Sequence, residues 1–246
     1  MRLTEKVYLV GGGRYGFGIS HELDCHVYLI NAGDEMALID AGAGVTLAPI
    51  LRNMQFDGLD PNRLKYILLT HAHADHAGAC FEWRRQFGVE VAASPEAAQY
   101  LRQGDEERVS LAVAKRGGFY PPDYVFRACE VPHVLSEGQS FAIGDLTVTA
   151  IETPGHCSGM LSFILKETGC SILFSGDTVF HGGKILITNV WDCNLQHYVN
   201  SIQKLSTLEV DALLPGHLAI AMQDGSRHIR TAWDTFQKLL IPASII

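Results

Sequence analysis

His71, His73, Asp75 and His76 fall within six residues in the pattern H-x-H-x-D-H, with the small residues Ala72 and Ala74 between them. Imidazoles and carboxylates are the usual ligands of divalent metals, and small spacers let a loop curl around an ion. Four donors from so short a segment are too many for one tetrahedral zinc. The pattern therefore sends His71 and His73 to one ion, and Asp75 and His76 to a neighbour. Three more donors each follow a glycine, in Pro154-Gly155-His156, Ser175-Gly176-Asp177 and Pro215-Gly216-His217. Glycine lets the backbone turn sharply or pack closely, so the next side chain can leave a strand and point into a cleft. The consistent assignment puts His71, His73 and His156 on a first metal and Asp75, His76 and His217 on a second. Asp177 bridges them, because a carboxylate has two oxygens for two cations about 3.5 to 4 Å apart. Two divalent ions are expected, zinc first, with iron or manganese as the other choices. Two cations sharing a water lower its pKa toward neutrality, and the resulting hydroxide attacks a carbonyl without any serine or cysteine nucleophile. Such chemistry hydrolyses a small ester, thioester or lactone. Asp75 is the expected proton acceptor or water orienter beyond its role as a ligand.

The elements that must position these residues read as two successive strand-then-helix halves. Strands are expected at Lys6 to Val10, His26 to Asn31 and Met36 to Asp40, joined by Gly- and Asp-containing turns. A helix follows from Val45 to Phe56, and a buried strand from Tyr66 to Leu69 delivers the chain into the histidine cluster. Phe81 to Phe87 reads as a helix and Val89 to Ala93 as a strand. Ser94, Pro95 and Glu96 open another helix with a cap, a first-turn proline and an early acid. From Asp105 to Pro122 the pattern weakens to one irregular helix and a surface loop. Strands resume at Phe141 to Ile143, Leu146 to Glu152, Leu161 to Leu165 and Ser171 to Phe174. A helix from Leu195 to Leu205, a strand from Ala212 to Leu214 and a C-terminal helix capped by Ser226 complete the series. Two sheets with helices outside give a four-layer αββα sandwich of the α/β class. No linker or low-complexity segment divides the chain, so residues 1–246 are expected to form a single domain.

Composition narrows the function. The 246 residues include 19 Lys plus Arg against 27 Asp plus Glu, a formal charge of −8, which disfavours a protein that grips nucleic-acid backbones. The six cysteines contain no C-x-x-C pair, which reads as reduced intracellular thiols rather than a disulfide framework or zinc finger. The N-terminus lacks the apolar stretch of a signal peptide, and no run reaches the ~18 apolar residues that cross a bilayer. A cytoplasmic protein acting on a small molecule, with no nucleic-acid or membrane partner, is expected. The oligomeric state is not legible.

The set HAHADH, with Gly-His, Gly-Asp-Thr and Pro-Gly-His downstream, resembles the metallo-β-lactamase superfamily. The stretches ALIDAGAG and ETPGHCSGMLSF are similar to its glyoxalase II and quorum-signal lactonase branches. The resemblance runs from about Val10 to His217. It implies the αββα fold, a dinuclear site usually holding zinc, and the ligand roles given above. It also implies that Asp40, the Asp of ALIDAG, orients a ligand loop by hydrogen bonding; the plainer reading of Asp40 is a cap on the turn before Gly42. The resemblance puts the hairpin at Tyr15 and Phe17 near the mouth of the site, so these two side chains are candidate substrate contacts. His181, four residues after Asp177, and Trp191 are two more. The commonest β-lactamases carry a cysteine where this chain has Asp177, which argues against antibiotic hydrolysis. A second reading is a mononuclear iron oxygenase resembling persulfide dioxygenases, with His71, His156 and Asp177 as a facial triad. A third is a metal-bound sensor without turnover.

Gly11 to Gly16 matches G-x-G-x-x-G after a strand. A dinucleotide site requires a helix to begin there, whereas the residues that follow read as a return strand, so this is taken as a flexible hairpin loop. Cys157, beside His156, reads as packing, and Ser158 as a turn or cap.

Overall fold

The computed structural model describes residues 1–167 and 169–245. The chain divides into two compact units, Met1–Leu135 and Ser136–Ile246. In the first unit, β1 (Val7–Gly11), β2 (Val27–Asn31), β3 (Met36–Ile39), β4 (Leu64–Leu68), β5 (Glu90–Ala93) and β6 (His133–Val134) form one sheet in sequence order. The first three strands pair antiparallel and β3 to β6 pair parallel. Strands covered on both faces read as continuous apolar runs, and β1 and β3 are buried along their whole length. Around the sheet run α1 (Ala48–Phe56), α2 (Ala74–Ala77), α3 (Cys80–Phe87), α4 (Pro95–Gln103) and α5 (Leu111–Arg116). Ile50, Met54, Trp83 and Leu101 from the helices pack with Leu29, Leu38, Ile67 and Val91 from the strands. Trp83 lies wholly inside and donates its indole N–H to the Ala41 carbonyl at 3.0 Å, so its one polar atom is satisfied. The start of α4 follows the sequence: Ser94 Oγ accepts from Ala97 N at 3.2 Å ahead of Pro95 and Glu96.

In the second unit, β7 (Ser140–Ile143), β8 (Leu146–Glu152), β9 (Leu161–Glu167) and β10 (Cys170–Gly176) form an antiparallel meander, and β11 (Ala212–Pro215) joins β10 in parallel. Tyr198, Ile202 and Leu205 of α6 (Leu195–Ser206) and Ile229, Ala232 and Phe236 of α7 (Gly225–Gln237) pack with Ile151, Ile164, Leu173 and Leu213. Each unit is thus one sheet carrying helices, the β-plus-α half from which an αββα sandwich is composed.

Several expectations are corrected. The Val45 helix begins at Ala48, with Pro49 in its first turn. The C-terminal helix is not capped by Ser226. Asp224, in the left-handed region at φ 55°, precedes its first residue, Gly225. Ser226 instead clasps residue 210: its Oγ accepts from Val210 N at 2.7 Å, and its own N–H donates to Val210 O at 2.8 Å. A Cβ at Gly225 would stand 2.8 Å from Val210 Cγ1, so the same close approach demands glycine there. Nor is the Gly11 to Asp24 hairpin loose. Gly13 N–H donates to Asp24 O at 2.9 Å, Ile19 N–H to Gly12 O at 2.8 Å and Gly12 N–H to Ser20 Oγ at 2.8 Å. The buried ring of His26 fills the space beneath it, where a Cβ on Gly16 would come within van der Waals overlap. No helix opens there, so the phosphate geometry of a dinucleotide site is missing from this loop. Among the described residues no helix is long and apolar enough to cross a membrane.

Candidate metal centre

The first unit brings His71, His73, Asp75 and His76 together at the end of β4. The loop after Leu68 carries the first two, and α2 begins at Ala74, so Asp75 and His76 fall in its single turn. Behind them lies Asp40, 2% exposed and directly after β3. Its Oδ1 accepts from Thr70 N at 2.8 Å, and its Oδ2 accepts from Thr70 Oγ1 at 2.8 Å and lies 2.8 Å from His76 Nδ1. Asp40 adopts φ 61°, a conformation that aspartate tolerates better than most residues. The carboxylate therefore orients a metal-loop histidine. Ala43, the N–H beyond Gly42, donates instead to Asp24 Oδ1 at 2.8 Å, so the turn-cap role falls to Asp24. His71 Nδ1 lies 3.0 Å from Thr70 Oγ1, its Nε2 3.1 Å from His73 Nδ1, and His76 Nε2 3.5 Å from Asp75 Oδ2.

The second unit brings together His156, Asp177 and His217. The parallel pairing of β10 with β11 sets Gly176 beside Pro215, so Asp177 and His217 leave neighbouring strands at the same end of the sheet. His156 follows β8, two strands away, and the C-terminal end of β8 lies at that same end of the sheet. Asp177 Oδ2 stands 3.7 Å from His156 Nε2 and 3.5 Å from His217 Nε2. The Nδ1 of His156 lies 3.0 Å from the Leu186 carbonyl, and the His217 ring stacks on Phe180 at 6.5 Å between centroids. Gly155 sits against α6, where a Cβ would lie 2.7 Å from Tyr198 Cγ. Tyr198 is wholly buried, and its hydroxyl is 2.9 Å from both the Asp177 and Leu186 carbonyls, the backbone that carries Asp177 and orients His156. Burial, and then the charge of Asp177, push this phenol well above the usual tyrosine range.

Within each unit the donors suit a divalent cation. In His71, His76 and His156 the Nδ1 is taken by a protein group, an arrangement that fixes ring orientation and leaves Nε2 as the nitrogen that could serve a metal. Two ligand atoms bound at about 2.0–2.1 Å to one tetrahedral ion stand about 3.3 Å apart. The separations of 3.1 Å between His71 and His73, 3.5 Å between His76 and Asp75, and 3.5 Å between His217 and Asp177 match that spacing.

Tyr15 and Phe17 are exposed on the hairpin at 42% and 45%. Trp191 is exposed on the segment before α6, and His181 is exposed, its ring tilted by 41° against that of His228 of α7 at 4.3 Å between centroids. Sequence reasoning missed Asp24, Tyr120, Tyr124 and the positioning role of Tyr198. Tyr124 donates to Ala43 O at 2.6 Å, and its ring lies 4.9 Å from that of Tyr120. Burial, with the charge of Asp75 next in weight, pushes the Tyr120 phenol well above its ordinary value. Asp24, Tyr124 and Tyr198 each bond a group at least twelve residues away, which no local pattern marks. Cys157 is buried, in keeping with packing, and Ser158 N–H donates to Asp192 Oδ2 at 2.8 Å.

The sequence matches the Metallo-beta-lactamase superfamily over residues 22–217. It is 32% identical over 208 residues to the acyl-coenzyme A thioesterase MBLAC2 of Gallus gallus, which covers 78% of this chain and 72% of the relative. It is 31% identical over 129 residues to the hydroxyacylglutathione hydrolase GloC of Haemophilus influenzae, which covers 52% of this chain and 56% of the relative. Among solved structures, the S60 mutant of a HARLDQ-motif metallo-beta-lactamase from Cronobacter sakazakii superposes with a TM-score of 0.74 at 21% identity, covering 97% of this chain and 93% of the other.

Proposed function

The chain belongs to the metallo-beta-lactamase superfamily and is a metallo-hydrolase, and from that premise we propose that it hydrolyses a small acyl thioester at a pair of divalent metal ions, zinc in the first place. His71, His73 and His156 would hold one ion and Asp75, His76 and His217 the other, with Asp177 between them. The observation that carries this reading is the geometry within each unit: imidazole nitrogens held at ligand spacing from one another or from a carboxylate, with the opposite ring nitrogen of His71, His76 and His156 tied to protein. When bound, the ions supply the Lewis acidity that polarises a carbonyl and acidifies water.

The remaining work belongs to the side chains. Asp75, partly exposed at the rim of its loop, orients the attacking water and takes its proton. Asp40 keeps the His76 ring fixed through the reaction, and Tyr198 does the same for the backbone of Asp177. Tyr15, Phe17, His181 and Trp191 are read as the surface that meets the substrate. A thioester is preferred to the ester or lactone because relatives named as an acyl-coenzyme A thioesterase and a hydroxyacylglutathione hydrolase both act on acyl groups carried by thiols. The oxygenase and sensor readings gain nothing from these relatives. We read the two units as one functional domain because the ligand set draws on both, and the location as cytoplasmic because the six cysteines are scattered with no C-x-x-C pair. The test is a panel of acyl thioesters, lactones and phosphodiesters assayed before and after chelation. Thioester hydrolysis that is lost with the chelator and restored by zinc is expected. Hydrolysis indifferent to chelation, or confined to phosphodiesters, would contradict the proposal.

A further inference from the structure

We propose that Asp24 is a positioning residue that clamps the 12–23 hairpin, with its exposed aromatic side chains, to the metal-ligand loop and thereby sets the affinity for substrate. The inference rests on the proposed function and concerns a residue outside its ligand set. Asp24 is 3% exposed and closes the hairpin at the foot of β2. Its Oδ2 accepts from Ser20 Oγ at 2.6 Å and from His21 N at 3.1 Å, while Oδ1 accepts from Ala43 N at 2.8 Å. Ser20 Oγ in turn accepts from Gly12 N at 2.8 Å, and the Asp24 carbonyl accepts from Gly13 N at 2.9 Å. One carboxylate thus gathers both limbs of the hairpin and the loop after β3. The next residue joins them to the metal loop: Cys25 N–H donates to Asp75 O at 3.3 Å. Gly42 leaves room for the carboxylate, since a Cβ there would stand 2.9 Å from Asp24 Oδ1.

Desolvation disfavours this buried carboxylate and pushes its pKa above the ordinary aspartate value. Burying an acid costs stability unless its hydrogen bonds offset the loss, and here those bonds fix the platform from which Tyr15 and Phe17 project. A looser platform weakens binding of substrate and transition state alike, which appears as a rise in KM at constant kcat.

The experiment compares Asp24→Asn and Ser20→Ala with the wild type in kcat, KM, metal content and amide hydrogen exchange. In Asp24→Asn the amide nitrogen meets groups that donate to the carboxylate. KM should rise about tenfold, as expected for lost hydrogen bonds to a charged group, with kcat and metal per chain within about twofold. Ser20→Ala removes one of the ties and should shift KM the same way by about threefold. In both variants the Gly13 and Ala43 amides should exchange faster. An unchanged KM, or a fall in kcat that tracks loss of metal, overturns the inference. If the wild-type protein hydrolyses no thioester, the proposed function fails by itself. The exchange rates still decide the clamp, and unaltered Gly13 and Ala43 amides refute it.

Discussion

Asp40 carries the strictest demand on a single side chain. Its carboxylate holds Thr70 N at 2.8 Å and His76 Nδ1 at 2.8 Å at once, both in buried surroundings. In Asp40→Asn one of these contacts becomes donor against donor, and the His76 ring loses the acceptor that fixes it. Loss of such an outer partner commonly costs 10–100-fold in metal affinity, so competition with a chromogenic chelator should show about that loss, with the circular dichroism of the fold retained. Wild-type affinity in this variant would show that Asp40 only shapes the turn. The ligand candidates were legible in the sequence because their types are rare and their spacing is tight. Asp40 was legible only through resemblance. Asp24 was invisible: its nearest bonds, to Ser20 and His21, look like an ordinary turn, and its decisive partner is Ala43.

At the scale of elements, strand ends do the positioning, and Gly155 is the tightest joint. A Cβ at 2.7 Å from Tyr198 Cγ and 2.8 Å from its Cα cannot be relieved by rotating a side chain, because α6 backbone is among the atoms met. Gly155→Ala should therefore lower stability by about 1–3 kcal/mol, the usual cost of overpacking, seen as a lower Tm; an unchanged Tm would contradict this. Tyr198→Phe removes a buried hydroxyl from the carbonyls of Asp177 and Leu186 and should cost about 1–2 kcal/mol while leaving the helix in place. The long strands and amphipathic helices were foreseeable from periodicity. The turn at Ala74–Ala77 and the strand His133–Val134 are too short to show a period, and tertiary contacts decide them, whereas the irregular helix expected between Asp105 and Pro122 is Leu111–Arg116. Ser226 misled because it looks like a helix cap, whereas its hydroxyl serves residue 210.

For the whole molecule, the thiols offer an independent check. Cys25, Cys80, Cys129 and Cys157 are buried, whereas Cys170 and Cys193 are partly exposed. Burial pushes the Cys129 thiol to about 11 and those of Cys25 and Cys80 higher still. A thiol whose pKa is raised holds almost no thiolate near neutral pH, and the thiolate is the reactive form. At pH 8 a disulfide reagent should therefore modify Cys193 first in the native protein and Cys170 more slowly, since partial burial and the charges of Asp211 and Glu167 push that thiol up as well, and all six cysteines after denaturation. Rapid labelling of the buried set would contradict the packing described. The acidic charge, the absence of cysteine pairs and the class of fold were all readable from composition and pattern. The central claim is that imidazoles and carboxylates from both units serve bound metal. Metal content, measured by mass spectrometry on protein purified without added metal, tests it most directly. About two divalent cations per chain are predicted. Protein that carries none, or a single iron, would contradict the account.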